Sequence, residues 1–206
     1  MAADDSVVLL GEDVGVPGGF GGAFGIYLGI AEEFGRDRVI DTPISEKAIM
    51  GVAIGGAIAG LRTLPDLQYA DFVFEGMDEL VNEAAKLRYM TGGQASVPIV
   101  IRTAGGAGRA SAAQHSQSLE AWFAHVPGLK VVMPSNPYDM KGLMTACIRE
   151  NNPTVMIKHK RLLGMTGDVP EESYSIPLGQ GNILRPGKDV TIVAYARMAN
   201  EALVAA

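Results

Sequence analysis

The sequence is poor in the residues that cross-link proteins or bind transition metals. It has 206 residues with one cysteine, Cys147, and three widely separated histidines, His115, His125 and His159. A single cysteine excludes an internal disulfide and a multi-cysteine zinc site, and the histidines show no paired ligand spacing. We therefore expect an intracellular, reducing compartment and no zinc.

Long basic and long apolar runs are also absent. Acidic residues outnumber basic ones by 23 to 17, and no Lys/Arg cluster offers a footprint for phosphates, so we expect no nucleic-acid partner. The longest uncharged apolar run, Ala48–Leu61, is shorter than the roughly 18–20 residues that span a bilayer. The N-terminus, Met1–Asp5, is acidic and does not resemble a signal peptide. We expect no membrane association.

Common nucleotide and hydrolase motifs are missing. No Gly-x-Gly-x-x-Gly fingerprint, no Gly-Lys-Ser/Thr phosphate loop and no Gly-x-Ser-x-Gly elbow occurs. Generic motifs therefore indicate no activity.

What the sequence does contain is an alternation of apolar strands and longer helical stretches. Hydrophobic residues make up 48% of the chain, enough for a substantial core. The predicted strands are Val7–Leu10, Arg38–Asp41, Val97–Arg102, Leu129–Met133 and Thr154–Lys158. The predicted helices are 22–35, 46–60, 74–92, 118–126 and 136–150. Such alternation predicts an α/β fold with a parallel sheet flanked by helices.

The pattern changes after residue 163. Residues 164–188 are rich in Pro and Gly and indicate a linker. Val190–Tyr195 then predicts a strand and Met198–Ala206 a helix. Because one strand and one helix cannot bury a core of their own, residues 189–206 are interpreted as the start of a truncated second domain.

Several motifs, in order, carry a family resemblance. They are Gly11–Gly15, Arg38–Glu46, Ala113–Gln117, Pro127–Val132 and Pro134. From about Val7 to its end, the chain closely resembles the beta subunits of pyruvate, branched-chain 2-oxo acid and acetoin dehydrogenases. These subunits belong to the transketolase-like thiamine diphosphate enzymes. The resemblance identifies residues 1–163 as a transketolase-like pyrimidine-binding domain and residues 189–206 as the start of a transketolase C-terminal domain.

The resemblance also implies cofactor, partners and activity. The beta subunit would hold the aminopyrimidine of thiamine diphosphate, and an alpha subunit would hold the diphosphate and magnesium, in a heterotetramer. A Gly-Asp-Gly diphosphate signature is missing here, and the nearest string is Gly167–Val169. The implied reaction is oxidative decarboxylation or cleavage of pyruvate or acetoin, with transfer of the acyl group to a lipoyl acyltransferase core. We expect activity to require the alpha subunit and a C-terminal domain, in the cytoplasm or the mitochondrial matrix.

Glu46 matches the family's cofactor-activating glutamate. The chemistry needs a carboxyl group bonded to a pyrimidine ring nitrogen, where sharing a proton favours the imino tautomer. A carboxyl group shielded from water can carry that proton near neutral pH. By position alone, Glu46 is equally an acidic residue stabilised in the first turn of a helix.

Three further residues match positions that line the same ring. Phe72 matches the aromatic residue that stacks on the aminopyrimidine, and Gln68 and Ile44 match residues beside it. Stacking could contribute on the order of 1 kcal/mol beyond burial. Taken alone, a phenylalanine in this place is an ordinary core residue.

His115 matches the family's active-site histidine and would also lie near the cofactor. Its imidazole could orient the substrate's oxo group or transfer protons during acyl transfer. A single histidine in a loop is more often structural. The stretch Gly105–Gly108 before it is either a mobile segment that helps to close the site or an ordinary loop.

Some family members hold a potassium ion, chiefly through carbonyl oxygens. The matching positions here are Ile99, Cys147, Ile148, Glu150 and Asn152. Carbonyl groups at a helix C-terminus attract a cation, but termination of a helix by Asn-Asn-Pro explains the same residues.

Two other functions stay open. One is a different transketolase-like thiamine diphosphate enzyme, which a complete diphosphate motif on the same polypeptide would favour. The other is a non-catalytic module of the same fold that serves subunit assembly.

Overall fold

Six parallel strands form one sheet with helices on both faces. The computed structural model describes residues 1–16 and 18–206. The strands are β1 (Val7–Glu12), β2 (Val39–Thr42), β3 (Arg62–Tyr69), β4 (Val100–Gly105), β5 (Lys130–Val132) and β6 (Thr154–His159). Their order across the sheet is β2-β1-β3-β4-β6-β5, and every pairing is parallel. The predicted α/β class and five of the predicted strands are confirmed.

Two long helices, one on each face, pack over most of the sheet. The α-helices are α1 (Ile30–Phe34), α2 (Glu46–Ile58), α3 (Leu87–Met90), α4 (Glu120–Ala124), α5 (Pro137–Arg149) and α6 (Ala196–Ala205). Helix α2 packs in one hydrophobic cluster with Leu67 and Ile101, while α5 packs in the other with Leu64 and Met156. Since side chains alternate along a strand, each cluster takes every second strand residue. No helix in 1–16 or 18–206 is long and apolar enough to cross a membrane.

Strand β3 lies at the centre of the sheet, although the sequence analysis did not predict it. Pro65 and Asp66 interrupt its apolar character, and proline is uncommon in central strands because it cannot donate to the ladder. The structure accommodates Pro65 beside an irregular register between β3 and β4, from Asp66 to Tyr69. Gln68 there has φ of 54°, a bulged conformation that turns the end of the strand.

Three other predictions were wrong in part. The helix predicted at 22–35 is mostly turns, and only Ile30–Phe34 is helical, ending at Gly35 with φ of 78°. The helix predicted at 74–92 is divided into a 3-10 helix (Ala70–Gly76), a π-helix (Glu79–Ala84) and α3. The strand predicted at Val190–Tyr195 is not formed, because no neighbouring strand pairs with it in the described chain.

Candidate active site

The carboxyl ends of the central strands carry a cluster of aromatic rings. Tyr69 ends β3, and Phe72 follows on the 3-10 helix Ala70–Gly76. His115 comes from the loop after β4, and its ring lies 4.5 Å from that of Tyr69 and 5.2 Å from that of Phe72. All these contacts are edge-to-face, an arrangement that leaves ring faces available. The structure therefore brings together two of the predicted site residues, Phe72 and His115.

Polar contacts hold His115 in place. The buried ammonium group of Lys160 donates to the backbone carbonyl oxygen of His115 and lies 5.5 Å from the centre of the Tyr69 ring. Gln117 Nε2 donates to Asp71 Oδ1 at 2.8 Å, and the backbone carbonyl of Gln117 accepts from Gly106 N at 2.9 Å. The loop of His115 is thus attached both to the 3-10 helix and to the glycine-rich stretch.

The imidazole of His115 has an unused polar atom. Its Nδ1 is buried and makes no hydrogen bond within the described chain. A buried nitrogen without a partner carries a cost in free energy, which a bound molecule can relieve. This atom is a candidate contact for a bound ligand.

Glu46 begins α2 and is half-buried. Its backbone carbonyl lies against the end of the 3-10 helix that carries Phe72, where a Cβ at Gly76 would be 3.5 Å from that oxygen. Ser45 is the N-cap residue of α2, but its side chain makes no capping hydrogen bond. The N-terminus of α2, where Glu46 lies, is therefore beside the 3-10 helix that carries Phe72.

A second glutamate, Glu12, lies close to Glu46 and was not singled out from the sequence. Burial raises the pKa of the Glu12 carboxyl, and the negative charges of Asp13 and Glu46 add to this effect. The sequence signal was present in the Gly11–Gly15 motif, which ends β1. Glu12 ends β1, and Glu46 begins α2, the helix that follows β2. Because parallel strands end at the same edge of a sheet, the two residues lie close together.

The remaining ring-lining candidates differ in exposure. Ile44 is 73% exposed just before α2. Gln68 is half-buried in the bulge of β3, and its carbonyl oxygen accepts from Thr103 Oγ1 at 3.5 Å. Tyr69, Asp71, Gln117 and Lys160 complete the site and were not predicted, because their roles depend on contacts with residues distant in sequence.

The positions proposed for potassium do gather at the end of α5. However, the carbonyl oxygens of Ile148 and Glu150 accept hydrogen bonds from Arg62 Nη1 at 2.8 and 3.1 Å. The carbonyl of Cys147 accepts from Glu150 N, and that of Ile99 accepts from Thr154 N. Asn152 donates to the Glu150 side chain at 2.7 Å. The guanidinium group of Arg62 thus already contacts two of these carbonyl oxygens, and potassium at this place stays a prediction.

Comparison with known proteins decides the family. Residues 1–166 match the model of the transketolase pyrimidine-binding domain. The chain belongs to the transketolase pyrimidine-binding domain family. The part of this pyrimidine-binding domain that follows β3 carries the aromatic cluster described above.

Individual relatives agree with this assignment. The chain is 49% identical to the beta subunit of acetoin:2,6-dichlorophenolindophenol oxidoreductase of Cupriavidus necator, over all of the chain and 63% of the relative. It is 46% identical to the pyruvate dehydrogenase E1 component subunit beta of Rickettsia felis, over all of the chain and 62% of the relative. The 2-oxoisovalerate dehydrogenase subunit beta of Bacillus subtilis is 44% identical, again with 62% covered. The chain thus spans less than two thirds of these relatives.

A solved structure confirms the fold. A split-gene transketolase, described as an inactive beta4 tetramer, superposes with a TM-score of 0.77 at 19% identity. The match covers 99% of this chain and 60% of the other. At this identity the likeness concerns the fold alone.

Proposed function

We propose that this chain is the pyrimidine-binding part of the beta subunit of a thiamine diphosphate-dependent dehydrogenase that acts on a 2-oxo acid or acetoin. The observation that carries the proposal is the meeting of Phe72 and His115, 5.2 Å apart, beside the helix that Glu46 begins. The chain's similarity to beta subunits of acetoin, pyruvate and 2-oxoisovalerate dehydrogenases supports the same reaction class.

The described residues fit an aminopyrimidine ring. Phe72 is only half-buried, and neither Tyr69 nor His115 stacks parallel to its ring, so a flat heterocycle can stack on it. The unpartnered Nδ1 of His115 and the half-buried carboxyl of Glu46 supply polar contacts. When bound, thiamine diphosphate would supply the nucleophilic carbon for attack on the substrate's carbonyl group. Magnesium and the diphosphate would be held by an alpha subunit.

The residues of this chain have separate roles in the proposal. The Glu46 carboxyl group donates and accepts a proton at a ring nitrogen. His115, fixed through its carbonyl by Lys160, orients the reacting carbonyl group or moves a proton near it. Gln68 and Ile44 border the ring.

The wider assembly follows from the same proposal. The chain would pair with an alpha subunit in a heterotetramer, deliver its acyl group to a lipoyl acyltransferase core, and work in the cytoplasm or the mitochondrial matrix. We also propose that the pyrimidine-binding domain ends near residue 163 and that a further domain begins near residue 189. The scarcity of regular structure from 164 to 195 supports this division.

The test uses a heterotetramer of the cognate alpha subunit and a beta subunit that carries a C-terminal domain. With thiamine diphosphate, magnesium, and either pyruvate or acetoin, reduction of an artificial electron acceptor reports turnover. We expect Glu46→Gln to lower turnover by about 100-fold or more, the usual range for loss of a general acid–base group. We expect no turnover when the 206-residue chain replaces the complete beta subunit.

Glu33→Gln is the matched control, because Glu33 is also an acidic residue in the first turn of a helix, α1, but is exposed. Both variants should keep the circular dichroism of the parent. Normal turnover in the Glu46→Gln enzyme would show that the assignment of this residue is wrong.

One observation favours the non-catalytic assembly module as a second candidate. On α2, the positions of Gly51 and Gly55 face open space within the described chain, and Val52 is 62% exposed. Such a face suits contact with another subunit. If the complete heterotetramer assembles but neither binds thiamine diphosphate nor turns over any substrate, this second candidate is correct.

A further inference from the structure

A cavity of about 410 Å³ lies on the α5 face of the sheet. This is the face opposite to the helix α2 and the 3-10 helix that carries Phe72. The walls of the cavity are mostly apolar and include Met140, Met144, Leu162 and Met165. The volume falls within the range of small-molecule sites, roughly 300–1,000 Å³.

The polar lining of the cavity is cationic. Arg102 on β4 and Lys158 on β6 contribute from the sheet, and Lys141 contributes from α5. No carboxylate is among the residues that line it in the described chain. Lys141 is already engaged, since its ammonium group donates to the backbone carbonyl of Glu171 at 3.0 Å. Lys141 keeps its charge at the α5 wall, and Arg102 and Lys158 are the two cations on the sheet wall of the cavity.

One buried carboxylate serves both of these strand residues. Lys158 Nζ lies 3.1 Å from Asp66 Oδ2, and both side chains are almost completely buried. Arg102, the cross-strand neighbour of Asp66, makes no ion pair in the described structure, and its Nε is buried without a hydrogen-bond partner. Its guanidinium carbon lies 4.8 Å from the centre of the Tyr27 ring, and Tyr27 is neutral. The cluster thus holds two positive charges and one negative charge.

The acidity of Lys158 is consistent with this imbalance. Burial lowers the pKa of Lys158 to about 8, and the charge of Arg102 also lowers it, although Asp66 acts in the opposite direction. A further negative charge in the cavity would stabilise the charged form of Lys158 as well as Arg102. A single negative charge would balance the cluster of Asp66, Lys158 and Arg102.

We propose that this cavity binds a small amphipathic monoanion, a carboxylate with a short apolar chain. The carboxylate accepts from Arg102 and lies near Lys158, and the apolar chain lies between Met140 and Met144. The site is separate from the cluster of Phe72 and His115, and it does not depend on the proposed function. Binding requires neither thiamine diphosphate nor an alpha subunit.

Hexanoate is the probe, with hexanol and hexylamine as uncharged and cationic analogues of similar length. Affinities are measured by calorimetry or ligand-observed NMR on the 206-residue chain. We expect saturable binding of hexanoate at least about tenfold tighter than of hexanol, because a charge-assisted hydrogen bond forms only with the carboxylate. Hexylamine should not bind.

Variants then locate the site. Met144→Trp fills the cavity and should weaken hexanoate binding at least about tenfold, while Met90→Trp, at an exposed position on α3, should leave it unchanged. Met140→Phe is a second filling variant in case Met144→Trp does not fold. Arg102→Gln should bring the affinities for hexanoate and hexanol close together.

Three results would overturn the proposal: no saturable binding of hexanoate to the folded chain, equal affinities for hexanoate and hexanol in the parent, or undiminished binding in folded filling variants.

Discussion

Lys158 and Asp66 form a buried ion pair, with 3.1 Å between Nζ and Oδ2, across two strands that do not neighbour each other. Strand β4 lies between them, and Arg102 of that strand stands beside both. Asp66 also accepts hydrogen bonds from the Tyr27 hydroxyl and from Gln68 N. A carboxylate with this many donors is the negative centre of the cluster.

Substitution of Asp66 and substitution of Lys158 should therefore lower the free energy of unfolding by different amounts. Asp66→Asn leaves the buried Lys158 and the half-buried Arg102 without a counter-charge and should lower the free energy of unfolding by about 3–5 kcal/mol. Lys158→Met leaves Asp66 with Arg102 and the Tyr27 hydroxyl, so we expect less than about half of that loss. Urea unfolding of both variants measures the difference. Equal losses, or the reverse order, would contradict the central role of Asp66.

The same aspartate should govern stability in acid. Burial opposes ionisation of Asp66, but the charges of Lys158 and Arg102, together with the hydrogen bonds from Tyr27 and Gln68, outweigh it and lower the pKa of Asp66. Its contribution to stability is thus complete above the ordinary aspartate pKa of about 3.9 and is lost as the pH falls through the lower folded-state value. We expect the unfolding free energy of Asp66→Asn to depend less on pH below about 4 than that of the parent. Asp5→Asn is the control, since the Asp5 side chain is fully exposed, and it should follow the parent.

The aromatic cluster should affect cofactor binding through Phe72. In the complete heterotetramer, Phe72→Leu keeps an apolar side chain but removes the ring face, so we expect affinity for thiamine diphosphate to fall about three- to tenfold. Phe74→Leu is the matched control, because Phe74 contacts Trp122, at 5.2 Å between ring centres, outside the cluster. Calorimetric titration with thiamine diphosphate checks both. If the two substitutions lowered the affinity for thiamine diphosphate equally, a specific role of Phe72 would be contradicted.

Gly128 is required for packing as well as for its backbone angle. It has φ of 103°, and an added Cβ would lie 2.1 Å from the backbone oxygen of Ala85. Gly93 has φ of 84° but faces open space, so Gly93→Ala carries only the cost of a left-handed conformation, about 1–2 kcal/mol. We expect Gly128→Ala to be more destabilising than Gly93→Ala in thermal unfolding. Similar melting temperatures would show that the chain at Ala85 moves aside freely.

Much of the fold could be predicted because its signals are local. The apolar strands β1, β2, β4, β5 and β6 and the helices α2 and α5 were located within a few residues. The family resemblance assigned Phe72 and His115 to one site, and the structure brings the two rings together. Tyr69 and Lys160 were missed, since nothing in their local sequence shows what they contact. Glu12 was missed although it lies in the Gly11–Gly15 motif, because its proximity to Glu46 depends on the sheet.

The sequence by itself determined the α/β class, the family and the residue types at the candidate site, because alternating apolar segments and short motifs are readable along the chain. Only the tertiary structure decided that a strand with Pro65 and Asp66 runs through the centre of the sheet. It also decided that Val190–Tyr195 stays unpaired. The physical reason is that burial of a charge depends on its partner, and the partner of Asp66 is 92 residues away in sequence.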